Sequence, residues 1–298
     1  MPRLPADAFA RLPDADAVAA LAEAAAQAYR APSAAHVVCA PGTQILLPLV
    51  SQLIPPGRAA IVAPTYGEFA RAAALAGHRV AELHELSEVG DAQLVFIGNP
   101  NNPDGRRFAK KELIALGEAL RASGGLLVVD EAFMDIGAAD ASLAPDVARG
   151  NIAVLRSFGK FFGLAGLRLG FALAAPQLVA RMASMLGPWA ISGPALVIGT
   201  TALTDDAWID RTRRQLTRSV QKLDAALSGA GLEIIGGTSL FRLTRTPHAS
   251  ALFDQLGRAG ILVRRFAERK EWLRVGLPAG ADAWERLQTA LADFRRAR

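Results

Sequence analysis

The chain has 298 residues, 51% of them hydrophobic and 20% charged, and carries a net charge of +5. That length and apolar content support a large core and roughly two domains. Lys and Arg form no long run and accompany no nucleic-acid-binding motif, so the excess charge reads as a solvated Arg-rich surface, with a few arginines left for anionic ligands and no nucleic-acid partner expected.

In chain order, the Ala-rich stretch 15–30 reads as a helix. An apolar run, 36–40, meets Pro41-Gly42, after which Thr43 is placed to cap a helix that runs to Pro55-Pro56-Gly57. Residues 59–63 read as a strand, 67–77 as a helix ending at Gly77, and 79–83 as another strand. The continuous apolar run 94–98 predicts a buried strand, followed by a Pro/Asn/Gly loop at 99–105 and a helix at 110–122. Strands follow at 125–132, 151–158 and 168–174. Strands alternating with helices predict an α/β fold with a mainly parallel sheet. A long helix spans about 205–230, and the pattern then changes to strands at 232–236 and 239–245, a helix at 249–259, strands at 261–265 and 272–277, and a helix at 282–296. The expected division is an N-terminal segment 1–30, a large α/β domain 31–205, and a small α+β domain 206–298 that includes the connecting helix.

Cys39 is the single cysteine, so no intrachain disulfide forms, and its place after Val37 and Val38 reads as a buried core thiol. His36, His78, His84 and His248 are scattered, and no metal site is expected. The chain opens without a basic-then-apolar leader and lacks an uncharged apolar run of about 18 residues, which predicts a soluble cytoplasmic protein without a membrane partner. There is no G-x-x-x-x-G-K-[ST] loop, and Gly163, Gly166 and Gly170 match a Gly-rich loop only loosely.

The polar residues that break the apolar strands fall at strand ends, where α/β sheets bind ligands. Asn102 follows the run 94–98, Asp130 closes the strand before it, Lys160 lies just past the strand 151–158, and Gly42-Thr43 joins a strand to a helix. These are the groups that pyridoxal 5'-phosphate chemistry requires. A lysine amine forms an imine. A carboxylate keeps the pyridine nitrogen protonated. A helix N-terminus with a hydroxyl and a guanidinium binds phosphate. Gly42, Thr43 and Gln44 supply the first amides of a helix, and Ser157 and Arg168 flank Lys160.

Those residues also resemble a family. Ser157-Phe158-Gly159-Lys160, with Arg168 eight residues later, is similar to the S-x-x-K…R signature of the class I/II aminotransferases. Asn99-Pro100-Asn101-Asn102-Pro103-Asp104-Gly105 resembles their N-P-x-N-P-T-G loop, with Asp104 in place of Thr; Val129-Asp130-Glu131-Ala132 and Pro64-Thr65-Tyr66 resemble two further segments in the same order. The resemblance covers about residues 36–280. It implies the type I fold of pyridoxal-phosphate enzymes, a homodimer, and a set of roles. Lys160 would hold the cofactor, Asp130 its pyridine nitrogen and Asn102 its O3′. Tyr66 would stack on the ring, and Gly42, Thr43, Gln44, Ser157 and Arg168 would bind its phosphate. Arg274 would hold a substrate carboxylate, Arg264, with Arg265 as the competing choice, a substrate phosphate, and Asn102 would line the substrate as well as the cofactor. Relative to family members, the N-terminal segment is expected to be shortened, lacking a G-x-N-P-like stretch, with Leu12 standing where one branch has Tyr.

Two branches carry such a pair of arginines: histidinol-phosphate aminotransferases, and the decarboxylases that convert O-phospho-L-threonine to aminopropanol phosphate in cobalamin biosynthesis. The string from Ser157 to Ala174 looks most like the decarboxylase branch, as does Asp130-Glu131-Ala132-Phe133, where the aminotransferases read D-E-A-Y. The reading is therefore a decarboxylase acting on a small phosphorylated amino acid. Its alternatives are a histidinol-phosphate-type aminotransferase and, outside enzymes, an inactive homologue or an effector-binding domain.

Overall fold

The computed structural model describes residues 4–137 and 139–296. The chain forms two compact units. Among the described residues, one comprises those up to Asn101 together with those between Arg107 and Asp206; the other comprises Asn102–Arg106 and those from Ala207 onward.

The first unit is built on seven strands: β1 (Val37–Ala40), β2 (Arg58–Val62), β3 (Arg79–Leu83), β4 (Leu94–Gly98), β5 (Leu126–Asp130), β6 (Ile152–Ser157) and β7 (Gly170–Leu173), in the order β1-β7-β6-β5-β4-β2-β3. β7 runs antiparallel to both β1 and β6, and the remaining pairs are parallel. β1, β2, β4, β5 and β6 therefore end on one edge, where β7 begins. The central strands are apolar on both faces because helices cover both. These are α1 (Asp7–Ala10), α2 (Ala15–Tyr29), α3 (Thr43–Ser51), α4 (Glu68–Leu75), α5 (Lys110–Ala122), α6 (Phe158–Phe161), α7 (Pro176–Leu186) and α8 (Gly193–Leu203). Asp14 starts α2 by accepting from the Ala17 N–H at 2.7 Å, which fills one of the orphan donors of the first turn. On one face of the sheet Leu46, Val50, Phe69, Phe96, Val128 and Leu155 form a continuous core.

Thr43 does not cap α3. Gly42 occupies the N-cap with φ 87°, and Thr43 is the first helical residue. The chain leaves β1 through a sharp reversal that needs a left-handed residue, and glycine adopts it without steric cost. The helix stops at Ser51, ahead of the Pro55-Pro56-Gly57 turn, and the strand read as 125–132 ends at Asp130, whose carboxylate accepts from the Ala132 N–H and turns the chain. Helices α7 and α8 occupy a stretch that the sequence pattern left unassigned.

The second unit is an antiparallel sheet packed on helices: α9 (Asp206–Gly229), β8 (Glu233–Thr238), β9 (Phe241–Arg245), α10 (Ala249–Arg258), β10 (Arg264–Phe266), β11 (Arg269–Gly276) and α11 (Ala281–Arg296), with strand order β10-β11-β9-β8. Leu227, Leu252, Leu273, Leu287 and Phe294 form its core. Leu273 is wholly buried at the middle of β11. Leu273→Ala is expected to lower unfolding stability by about 2–5 kcal/mol, read from urea melts of the second transition if the units unfold separately.

Candidate active site

Two glycines bring the phosphate-binding candidates together in the first unit. Gly170 pairs with Ala40 on one side and Ser157 on the other. A Cβ on Gly170 would lie 2.6 Å from the Thr43 amide nitrogen, and one on Gly42 would lie 2.6 Å from a guanidinium nitrogen of Arg168. Only hydrogen at these two positions lets the start of α3, the end of β6 and Arg168 converge. Arg168 itself is left-handed, with φ 54° and ψ 60°. An Arg rarely adopts that conformation, and such strain gathers where a side chain must be aimed. Its guanidinium donates to the Ala165 carbonyl at 3.0 Å. Ser157 is the N-cap of α6, yet its hydroxyl makes no capping bond. A helix N-terminus, a hydroxyl and a guanidinium at one point form a cradle for an anion.

Asp130 closes β5 opposite Gly98 and Leu155. It keeps some accessible surface, but its carboxyl is hemmed in at the sheet end. Burial pushes its pKa up to about 6, with the Glu131 charge adding to the rise, while the Ala132 amide and the Lys160 ammonium pull the other way. A carboxylate held this way favours a cationic partner. Lys160 projects from the short α6 with its Nζ 5.8 Å from the centre of the Phe133 ring, and it meets no carboxylate within ion-pair distance among the described residues. Gly159 lets this turn close, since a Cβ there would lie 2.8 Å from the Ala165 Cα.

Tyr66 stands beyond the end of β2 with its ring edge-on to Phe69. Its hydroxyl donates to Gln44 Oε1 at 3.0 Å, and Gln44 Nε2 donates to Glu68 Oε2 at 2.6 Å. Burial, then the Glu68 and Asp130 charges, push the phenol above its ordinary pKa, so it stays a donor. The Gln44 side chain is thus engaged with Tyr66 and Glu68, which leaves its backbone N–H for an anion. The sequence reading passed over Asn101. Its Oδ1 accepts from Thr65 Oγ1 at 2.6 Å and its Nδ2 donates to the Pro64 carbonyl at 2.7 Å, so it fixes the segment that carries Tyr66. The signal for it was the first Asn of the pair in the Asn/Pro loop.

The remaining candidates fall in the second unit. Arg274 lies on β11 with its guanidinium 5.1 Å from the Phe241 ring centre, and it donates to Asn102 Oδ1. Arg264 is its direct partner across β10–β11, whereas Arg265 pairs with the buried Leu273 and packs over Phe253. Strand alternation therefore puts Arg264 on the Arg274 face and Arg265 on the other. Burial, and then the neighbouring Arg264, push the Arg274 guanidinium below its ordinary pKa. Cys39 is buried and free, with its thiol raised to about 12 by burial, which makes it an unreactive core residue. Among the described residues no cluster of three or more His, Cys, Asp or Glu could hold a metal, and no helix is long and apolar enough to cross a membrane.

The model of the aminotransferase class I and II family matches residues 3–291, and the chain belongs to that family. Its fold is type I of the pyridoxal-phosphate enzymes, and the family's cofactor is pyridoxal 5'-phosphate. Among relatives, a threonine-phosphate decarboxylase from Sinorhizobium sp is 47% identical over 256 residues, covering 85% of this chain and 76% of that one. A protein of the same name from Pseudomonas aeruginosa is 41% identical over 257 residues, covering 85% and 77%. A histidinol-phosphate aminotransferase from Pseudoalteromonas atlantica is 34% identical over 179 residues, covering 59% and 48%. Among solved structures, the histidinol-phosphate aminotransferase of Clostridium acetobutylicum superposes with a TM-score of 0.87 at 21% identity, covering 97% of this chain and 92% of that one. That of Sinorhizobium meliloti, in complex with pyridoxal-5'-phosphate, gives 0.85 at 24% identity, covering 97% and 84%.

Proposed function

We propose that the chain decarboxylates O-phospho-L-threonine to aminopropanol phosphate, a step of cobalamin biosynthesis, using pyridoxal 5'-phosphate carried on Lys160. The observation that carries the substrate reading is the Arg264/Arg274 pair, and the decarboxylase-named relatives favour that branch over the aminotransferases that share the pair. Two guanidiniums stand directly opposite on one sheet face, and neither meets a carboxylate among the described residues. Like charges placed so destabilise a sheet unless anions neutralise them. O-phospho-L-threonine carries a carboxylate and a phosphate. The relatives that share 41–47% identity over most of this chain bear the decarboxylase name, whereas the structural likenesses report the fold alone.

The residues fit the cofactor. The Gly42/Gly170 cradle would be filled by a Cβ at either position, and it suits a phosphate between the α3 amides of Thr43 and Gln44, the Ser157 hydroxyl and Arg168. Asp130, raised to about 6 by burial even with the Lys160 charge nearby, suits a protonated ring nitrogen. Tyr66 offers a ring face for stacking, and Asn102 an amide for O3′. When bound, pyridoxal phosphate supplies the electron sink for the pair left on Cα as CO2 departs. Arg274 would orient the substrate carboxylate and Arg264 the phosphate before that bond breaks, and Lys160 Nζ would return one proton to Cα afterwards. Phe133 lies beside that amine without a hydroxyl to compete for the same oxygen or proton.

Gly42→Ala is expected to weaken cofactor binding by at least about tenfold, because the added methyl meets Arg168 and the residue is left-handed; absorbance titration of the apoprotein measures it. Arg264→Ala is expected to raise KM for phosphothreonine by roughly 10–150-fold, the equivalent of a charge-assisted contact of about 1.5–3 kcal/mol, with a smaller change in kcat. The protein is read as a cytoplasmic homodimer, in keeping with its single buried thiol and with the fold; light scattering of the active enzyme should give twice the chain mass, and an active monomer would contradict it. The reaction itself is tested by offering phosphothreonine alone, then histidinol phosphate with 2-oxoglutarate. CO2 in the first alone supports the decarboxylase. Glutamate in the second without CO2 in the first would assign the aminotransferase.

A further inference from the structure

Next to the strand ends that carry Asp130 and Ser157 lies a buried charge cluster that the chemistry above does not use. Glu131 is wholly buried; its Oε1 accepts from the Leu143 N–H at 2.7 Å and its Oε2 from the Ser142 hydroxyl at 2.6 Å. Arg156 is 4% exposed, and its NH1 lies 3.8 Å from both Glu131 Oε2 and Asp135 Oδ1. The guanidinium carbon sits 4.3 Å from the centre of the Tyr29 ring, and the Nε and NH1 of Arg156 make no hydrogen bond among the described residues. Arg156 is thus fixed by charge and by ring packing.

The cluster straddles β5 and β6 where the candidate ligands begin. The Glu131 N–H donates to the Leu155 carbonyl at 2.9 Å, so Glu131 and Arg156 stand one ladder step apart. Leu126, Val128, Ala153 and Leu155 belong to one core. Arg156 instead pairs with Phe171, whose ring packs on Tyr29. By strand alternation Asp130 follows the face of Val128, and Glu131 and Arg156 turn to the opposite one. A buried ion cluster seldom contributes more stability than apolar side chains of similar volume would. Its chain neighbours are informative: Glu131 directly follows Asp130, and Arg156 directly precedes Ser157 and lies four residues before Lys160.

We propose that Arg156 is a positioning residue of the cofactor site, clamping the end of β6 to the end of β5 through Glu131 and Asp135 and so fixing Asp130 relative to Ser157 and Lys160. The inference rests on the cofactor site described above. Misplacement of about 1 Å between such groups is enough to lower a rate by about 10²-fold.

The test uses full-length enzyme and three readouts: the pyridoxal phosphate dissociation constant of the apoprotein, kcat against KM, and the melting temperature. Arg156→Met is expected to weaken cofactor binding by about tenfold or more and to lower kcat more than it raises KM, and Arg156→Lys to recover part of both. The double variant Glu131→Gln/Arg156→Met no longer strands a buried charge at position 131. Asp135 still loses Arg156, so the double variant is expected to regain part of the melting temperature lost in Arg156→Met while cofactor binding stays weak, and it serves if Arg156→Met does not fold. Cofactor binding and kcat within about twofold of wild type in Arg156→Met, or recovery of binding together with melting in the double variant, would overturn the proposal. Wild-type protein that binds no cofactor would overturn both this inference and the site on which it rests, whereas wild-type binding with unaffected variants overturns this inference alone.

Discussion

Lys160→Ala is expected to abolish covalent retention of pyridoxal phosphate and to lower decarboxylation by at least about 10²–10⁴-fold from the lost proton transfer alone. The side chain is exposed and forms no ion pair among the described residues, so the fold should keep its stability to within about 0.5 kcal/mol. Borohydride reduction of loaded wild-type protein, followed by peptide mass mapping, should place the label on the peptide holding Lys160 and leave the variant unlabelled. A label on another lysine in wild-type protein would refute the assignment of Lys160.

Asp130→Asn is expected to separate stability from activity. In the folded protein burial pushes the Asp130 carboxyl up to about 6, above its ordinary 3.8, even with the Lys160 charge pulling it down. Between those values the folded chain keeps a proton that the unfolded chain releases, so apoprotein stability falls as pH rises through that window. Above it the wild-type apoprotein carries the whole cost of an ionised, hemmed-in carboxylate, and the Asn variant carries none. At pH 8 the variant apoprotein should therefore melt at or above wild type, by on the order of 1–3 kcal/mol in stability, and the advantage should vanish as pH drops below about 4. With cofactor added the order reverses. The amide cannot hold a protonated ring nitrogen, and kcat should fall by on the order of 10²–10³-fold. Calorimetry of apo and loaded protein across pH, alongside kinetics, measures both. A variant less stable than wild type at pH 8 without cofactor would show that the Ala132 N–H bond and the Lys160 charge outweigh the cost of burying the carboxylate.

The sheet, and the edge where the candidate residues gather, are legible because both follow from strong local rules. Buried parallel strands read as apolar runs, and residues such as Asp130 and Lys160 interrupt those runs where the strands end. At the start of α3 Gly42 and Thr43 both suit a cap in sequence, and only the close approach of Arg168 decides in favour of glycine at the N-cap. Helices α7 and α8 were missed for another reason. α8 reads Gly-Pro-Ala-Leu-Val-Ile-Gly-Thr-Thr-Ala-Leu, apolar around much of its circumference, so no one-sided stripe announces it. Arg264 and Arg265 are adjacent and chemically equal in the sequence; strand register separates them by pairing one with Arg274 and the other with Leu273. Glu131 and Arg156 were hidden in apolar strings, where a charged residue gives no sign of whether it meets solvent or a buried partner.

The most direct test of the proposed reaction is to run it on O-phospho-L-threonine in deuterium oxide and to weigh the product. Decarboxylation breaks the bond from Cα to the carboxylate and returns a solvent-derived proton, which the proposed site delivers from Lys160. The expected product is aminopropanol phosphate carrying one non-exchangeable deuterium on the former Cα, with one CO2 released per product. A keto acid that retains its carboxylate, formed only when an amino acceptor is present, would contradict it.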